Sequence, residues 1–254
     1  MKLPRTPSFS LKNKRALIVG ASSGIGLACA VALAEYGASI TIAARRTQKL
    51  EELSNSLESK NIAVELLELD ISKTNKTLQI INDLDPFDVL VNSAGMAKHS
   101  YSVETKEADF DDVMGINLKG AYFLTMAVAK RLMSAKKSGS LINISSQMGL
   151  VGGQDRAVYS ASKHAVEGFT KSIAIELGSA DIRVNTICPT FILTDLTKPT
   201  FEDPEKIAWI KSKIKLGRVG KVEDIMGAVV FLASDASSLI TGSSLVIDGG
   251  WTAE

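Results

Sequence analysis

The sequence predicts an α/β fold built on a parallel sheet, and three observations predict it. Short apolar runs alternate with longer segments of helical period along the 254 residues, which is the pattern of repeated strand–helix units. Seven of these runs read as strands, and their continuous apolar character fits strands covered on both faces. A glycine-rich turn, Gly20-Ala21-Ser22-Ser23-Gly24-Ile25-Gly26, joins the first run to the first helical period.

Taken in order, Ala16, Leu17, Ile18 and Val19 make the first expected strand. A helix over 24–36 follows and stops at Gly37, a residue free to take the left-handed conformation of a helix end. The spacing predicts a strand over 39–43, a helix over 47–60, and further strands over 64–69, 89–91, 141–144, 183–187 and 245–247. Two helical segments are long. The first, 105–133, carries the apolar stripe Phe110, Met114, Ala121, Leu124 and Val128. Asn117 falls on that stripe where an apolar residue is expected. The second, 156–177, carries Ser160, Ala161, Ala165 and Gly168, small enough to let another helix approach within the subunit or between subunits. Segment 190–218 differs in character. It follows a strand end, contains Pro199 and Pro204, and predicts a short helix capped by Asp203 with Pro204 at its first position. Ile207, Ile210 and Ile214 give this helix one apolar face. Such an insertion is either a substrate lid or a fixed surface helix.

Hydrophobic residues make up 45% and charged residues 22%, with a formal net charge of +1. That balance gives no electrostatic reason to expect nucleic acid or a membrane as partner, so a small-molecule substrate is expected. No run of 18 apolar residues is present, and residues 1–14 lack the apolar centre of a secretory signal, so a cytoplasmic protein is expected. Cys29 and Cys188 stand in apolar surroundings without metal-ligand spacing and read as reduced, buried thiols. No cluster of His, Cys, Asp or Glu has the spacing of a metal site, and none is expected. His99 reads as a solvent-facing loop residue, with pocket lining as its alternative; His164 reads as packing or surface.

The glycine turn sits where a strand delivers the chain to a helix N-terminus. Gly20, Gly24 and Gly26 let the backbone turn tightly, and Ser22, Ser23 and Ile25 bring free N–H groups and the positive end of the helix dipole towards a pyrophosphate. At the end of the second strand a dinucleotide site that selects NAD(H) carries an acidic residue for the ribose hydroxyls. Here Ala44 is followed by Arg45 and Arg46, a pair suited to a 2′-phosphate. NADP(H) is therefore expected over NAD(H), which stays possible. Asp70, with Ile71 beside it, is placed to meet the adenine; alternatively it only caps the next helix.

Tyr159 and Lys163 are four residues apart on one helix and share a face. A phenol with a pKa of about 10 exchanges protons poorly at neutral pH, and a neighbouring ammonium favours its phenolate. Ser146 closes an apolar strand thirteen residues earlier. From there its hydroxyl can meet the phenol and steady a developing alkoxide, with Ser145 turned to the opposite face. Asn117 reads either as a satisfied core amide or as the holder of a water that links Lys163 to solvent.

Gly20-x-x-x-Gly24-x-Gly26, Asn92-Ser93-Ala94-Gly95, Asn117, Ser146, Tyr159-x-x-x-Lys163 and the closing Val246-Ile247-Asp248-Gly249-Gly250 together resemble the short-chain dehydrogenase/reductase family over about residues 10–250. The resemblance implies a single doubly wound domain of Rossmann type spanning residues 1–254, and usually a homotetramer. It implies that Tyr159 is the acid and base, that Lys163 binds the ribose and tunes it, that Ser146 orients substrate and that Asn117 anchors a relay. It further implies cofactor contacts from Asn92, Ala94 and Gly95 and from the stretch that begins at Pro189, with Ile192 and Thr194 near the carboxamide. Three positions depart from the family pattern. Ser93 replaces the second Asn of NNAG, Thr190 replaces the Gly after Pro189, and Ser23 stands where many NADP-dependent members are basic.

The function expected on these grounds is hydride transfer between a nicotinamide and a small alcohol or carbonyl substrate, a polyol, sugar acid or ketone. One alternative is a 3-oxoacyl-[acyl-carrier-protein] reductase, for which Lys137 lies near a carrier-reading position while Ile175 occupies the other. An alternative of another class is a non-catalytic nucleotide-sensing protein.

Overall fold

A computed structural model describes residues 1, 3–59, 62–195 and 197–253. Its strands are β1 (Arg15–Val19), β2 (Ser39–Ala44), β3 (Val64–Glu68), β4 (Val89–Asn92), β5 (Gly139–Ile144), β6 (Ile182–Pro189) and β7 (Ser244–Ile247). Its helices are α1 (Gly24–Glu35), α2 (Thr47–Glu58), α3 (Thr74–Asp83), α4 (Glu107–Met114), α5 (Ala121–Ser134), α6 (Ala157–Leu177), α7 (Lys198–Phe201), α8 (Pro204–Lys213) and α9 (Glu223–Ala233). All strands run parallel in one sheet ordered β3-β2-β1-β4-β5-β6-β7.

The order follows from crossovers packed on both faces. Leu33 of α1, Leu50 and Leu57 of α2, and Val229 of α9 meet Ile18, Ile40, Ile42 and Ile142 on one side. On the other side Ile81 of α3, Leu124, Val128 and Leu132 of α5, and Ile173 of α6 meet Leu17, Leu90, Leu141 and Val184. The expected doubly wound architecture is the one observed. Continuous apolarity reports full coverage at β1, β2, β4 and β5. The edge strands depart from it: Leu66 in β3 and Val246 in β7 are exposed, because each lacks a neighbouring strand and part of the helical layer.

Helix ends agree with their caps. Gly37 has φ 97° directly after α1, and the Asp203 carboxylate accepts from the amides of Glu205 and Lys206 at the start of α8. The helix expected over 47–60 is α2, last assigned at Glu58; Lys60 lies outside the described residues. The long period over 105–133 is not one α-helix. α4 and α5 are joined by a π-helical stretch, Gly115–Gly120, which holds Asn117 buried. The wider turn rotates α4 relative to α5, so Phe110 leaves the expected stripe and is exposed while Val113 is fully buried. Segment 190–218 forms two helices, α7 and α8, with Ile210 and Ile214 buried and Ile207 half-buried. Among the described residues no helix is long and apolar enough to cross a membrane, and no group of His, Cys, Asp or Glu is arranged to hold a metal. Both cysteines are buried and unpaired.

Candidate active site

Strand order reverses between β1 and β4, and in doubly wound sheets the crevice at the carboxyl ends beside that reversal takes the ligand. A cleft of about 470 Å³ opens there. Most of the residues singled out from the sequence line it: Gly20, Ser22, Ser23, Gly24 and Ile25 from the glycine turn; Arg45 and Arg46 after β2; Asp70 and Ile71 after β3; Ala94 and Gly95 after β4; Ser146, Tyr159 and Lys163; and Pro189, Ile192 and Thr194 after β6. Gly26, Asn92 and Asn117 are not on the wall itself.

The glycine turn is shaped for close approach. Gly20 has φ 83° and Gly24 φ 57°, conformations that side chains disfavour. A Cβ at Gly26 would stand 2.2 Å from the Gly20 carbonyl oxygen, so Gly26 sets how near α1 lies to β1 rather than touching a ligand. Arg46 reaches across from the end of β2 and donates to the Ser22 hydroxyl at 2.9 Å and the Ser23 hydroxyl at 3.3 Å. A guanidinium thus sits over the helix N-terminus. Asp70 accepts from the Ser72 amide and hydroxyl, which makes its turn-capping role real while it still faces the cleft.

Asn92 holds the strand end together, donating to Asn143 at 3.1 Å and accepting from the Ala94 amide. The Asn117 amide group accepts from the Met96 N–H and donates to the Met96 carbonyl and the Ser162 hydroxyl. Of its two readings, the satisfied core amide describes the side chain. It clamps the loop after β4 onto the π-helical stretch.

Ser146 follows β5 and accepts from the Met148 amide at 3.1 Å. Lys163 is 5% exposed, donates to the Ile144 carbonyl at 2.9 Å, and has its ammonium 5.7 Å from the Tyr159 ring centre. Burial pulls Lys163 down to about 8, opposed by Cys188 and Glu167. Burial also raises the Tyr159 phenol, while the Ser146 hydroxyl and the Arg156 guanidinium favour its ionised form. Burial outweighs both, so in the protein alone the phenol stays above its ordinary value and the lowering expected beside Lys163 is not present. Lys163 is itself desolvated and spends a donor on a backbone carbonyl. Ser145 and Ser146 both border the cleft, so strand alternation does not separate them here: β5 ends at Ile144, before either.

Several site residues were not legible in the sequence. Arg156, immediately before α6, lines the cleft, lies 5.2 Å over the Phe191 ring and bonds His99 Nε2 at 2.6 Å. His99, read from sequence as facing solvent, instead borders the cleft with its ring edge-on to Tyr159 at 6.1 Å. Burial and the adjacent Arg156 lower His99 to about 4. Gln147 borders the cleft and is 1% exposed, with both amide atoms unpartnered. Phe191 also stacks on Trp251, which meets Trp209 of α8 edge-on. Asp248 accepts from Gly250 and Thr252, fixing the turn that presents Trp251. Behind Lys163, Glu167 is buried and accepts from Thr186, Cys188 and Ser244. The only sequence signal for Arg156 is its place three residues before Tyr159.

A family model described as Enoyl-(Acyl carrier protein) reductase matches residues 20–252. A 2-dehydro-3-deoxy-D-gluconate 5-dehydrogenase of Bacillus subtilis is 38% identical over 247 residues, 96% of this chain and 96% of that protein. A 3-oxoacyl-[acyl-carrier-protein] reductase of Chlamydia trachomatis is 39% identical over 245 residues, 94% of this chain and 98% of that one. The structure of a gluconate 5-dehydrogenase from Burkholderia cenocepacia, in complex with NADP and tartrate, superposes with a TM-score of 0.93 at 31% identity, covering 97% of this chain and 98% of that one. With the sheet order, the glycine turn and the Ser146–Tyr159–Lys163 group on one cleft, these matches make the chain a member of the short-chain dehydrogenase/reductase family.

Proposed function

We propose that this single-domain protein oxidises a secondary alcohol, or reduces the matching carbonyl, on a small polyol, sugar acid or ketone, with NADP(H) preferred over NAD(H). The observation that carries the reading is that Ser146, Tyr159 and Lys163 face the same cleft as the glycine turn. The cleft suits a dinucleotide: glycines whose Cβ atoms would collide with backbone make a close cradle at the α1 N-terminus. Gly20 through Ile25 would hold the pyrophosphate, Arg45 and Arg46 the 2′-phosphate, Asp70 and Ile71 the adenine, and Ala94, Gly95, Pro189, Ile192 and Thr194 the nicotinamide end. When bound, the cofactor exchanges a hydride with the substrate carbon.

The protein's own groups handle the oxygen. In the oxidative direction Tyr159 takes the hydroxyl proton as a CH–OH carbon becomes C=O; in reduction it returns that proton. Ser146 donates to the same oxygen and steadies the charge that develops on it. Lys163 holds the ribose and eases ionisation of the phenol. Asn117 keeps the π-helical stretch beside Lys163, where a water can pass protons to solvent. Segment 190–218 covers the substrate end through Phe191, Thr197 and Thr200, which line the cleft.

A 3-oxoacyl-[acyl-carrier-protein] reductase is the second reading, favoured by relatives of equal identity. Against it, Lys137 is engaged with Asp88 at 3.5 Å and Ile175 is an exposed apolar residue where the second carrier contact would be basic. Nicotinamide absorbance, followed with both cofactors against alcohols, ketones, aldonates and an acetoacetyl thioester, separates the two. Turnover with none of them, alongside tight nucleotide binding, would favour a sensor. A cytoplasmic homotetramer completes the reading. Ala161, Gly168 and Ile175 lie exposed on one face of α6 among His164, Lys171 and Ser172, and beyond its own helix a Cβ built at Gly168 meets open space. Sedimentation at about four times the 27.1 kDa chain mass, lost on Gly168→Arg, is the expected result; a monomer would rule the tetramer out.

A further inference from the structure

The substrate end of the cleft contains a cation and a set of polar atoms that the chemistry above does not use. Arg156 has five N–H donors, and among the described residues one hydrogen bond, from Nη1 to His99 Nε2, engages them. Among the described residues no carboxylate forms an ion pair with it. Arginine stays protonated, so it donates to His99, whose Nε2 must then carry the lone pair and whose ring is neutral. The second positive charge that a phosphate dianion favours is therefore missing, and the guanidinium offers a planar fork to a single anion. Burial disfavours its charged form, with Tyr159 and Asp155 opposing.

On the same cleft, the Gln147 carboxamide is 1% exposed and neither its Nε2 nor its Oε1 has a partner. The Thr190 hydroxyl is also buried without one. Both residues border the cleft. Buried polar atoms without partners are costly and rare, so these three, on residues that follow Ser146 and Pro189 in the chain and border the same cleft as Ser145, whose hydroxyl is also unpartnered, mark where ligand hydroxyls belong. An acyl chain placed there would leave all three unsatisfied. A neutral polyol would satisfy them but leave Arg156 without its anion.

We propose that the substrate is a polyhydroxy carboxylate: Arg156 binds its carboxylate, and Gln147 and Thr190 bind hydroxyls flanking the reacting carbon. Arg156 and Gln147 are thus specificity-determining residues, and this rests on the oxidoreductase reading given above. The requirement for a carboxylate excludes alditols and thioesters as good substrates although both carry suitable oxygens.

The test compares four- to six-carbon aldonates, D-gluconate among them, with their alditols, D-glucitol among them, and acetoacetyl thioester. It uses NADP⁺- or NADPH-loaded protein and measures both turnover and calorimetric binding. At least one aldonate is expected to exceed its alditol about 100-fold in kcat/KM. Arg156→Gln should weaken binding of that aldonate and raise its KM, by about 10- to 100-fold. It should leave NADP⁺ affinity unchanged and lower kcat/KM for the aldonate far more than for the alditol, and Arg156→Lys should restore part of the loss. Gln147→Leu should raise KM for aldonate and alditol alike. An alditol or the thioester preferred over every acid overturns the carboxylate assignment while the oxidoreductase reading stands. Unchanged aldonate binding in Arg156→Gln, or no saturable binding of any acid, overturns it equally. Silence across all substrates with acids still binding through Arg156 would sink the oxidoreductase reading and keep the carboxylate site.

Discussion

At the scale of single residues, the reaction divides into a proton donor, an oxyanion donor and a phosphate clamp, and each predicts a different failure. Tyr159→Phe should lower kcat by about 10²–10⁴-fold while NADP(H) affinity, measured by fluorescence titration, stays within a factor of two or so of the original. Ser146→Ala should cost about 10²–10³-fold in kcat; a larger loss from Ser145→Ala would reassign the serine. Replacing Arg45 and Arg46 together by Ala should raise KM for NADPH about 10- to 100-fold and leave NADH untouched. An equal loss with both cofactors would show that the pair only supports the Ser22–Ser23 turn, to which Arg46 is bonded. Tyr159, Lys163 and the glycines were legible in the sequence because helix geometry and a strand-to-helix turn fix their neighbours locally. Arg156 was not, and for His99 pocket lining was the second of two readings. Their bond joins residues 57 apart and depends on two loops, one tied to α4 through Lys98 with Asp109 and Asp112, the other passing through Asp155 at φ 58°. No local spacing encodes that meeting. Gln147 was missed for another reason, since beside Ser146 it looks like an ordinary loop amide until burial shows that it has no partner.

At the scale of elements, the central strands could be read because they are apolar on both faces, while β3, whose run is broken by Glu65 and Glu68, lies half open at the sheet's edge. The π-helical stretch was also hidden. A helical period survives it, and only the outcome (Phe110 outside, Val113 inside) reveals the extra rotation. Elements also explain why the three glycines of the turn are not equivalent. Gly26→Ala should destabilise the fold by about 1–3 kcal/mol in denaturant unfolding, because its Cβ would strike the Gly20 carbonyl, a backbone atom that cannot step aside. At Gly24 the nearest atom is the Thr194 methyl at 3.1 Å, which can move. Gly24→Ala should therefore act chiefly through its left-handed backbone, at about 1–2 kcal/mol, and through the lost approach to a ligand, seen as weaker NADP(H) binding. If Gly24→Ala proved the more destabilising of the two, the packing role given to Gly26 would be wrong.

At the scale of the whole molecule, the sheet buries Lys163 beneath its carboxyl edge, and that placement has a consequence for stability as well as for chemistry. Its ammonium is held down to about 8 by burial, against the 10.5 of a lysine in the unfolded chain. Between those values the unfolded chain binds the proton more readily than the folded one, so this residue makes stability rise with pH across the interval and contributes no slope below it. Cys29 and Cys188, each raised to about 12 by burial, pull the other way above about pH 9, as does the raised Tyr159. Raw melting curves therefore mix opposing slopes. The difference between the parent protein and Lys163→Met isolates the lysine, since the thiols and the phenol remain in both. That difference in unfolding free energy should move in favour of the parent between about pH 8 and pH 10, and stay flat from about pH 6 to pH 7. A flat difference over the whole range would mean that Glu167, behind the ammonium, keeps it fully charged in the fold. Alcohol oxidation would then have to draw its proton acceptor from Tyr159 without help from a titrating lysine.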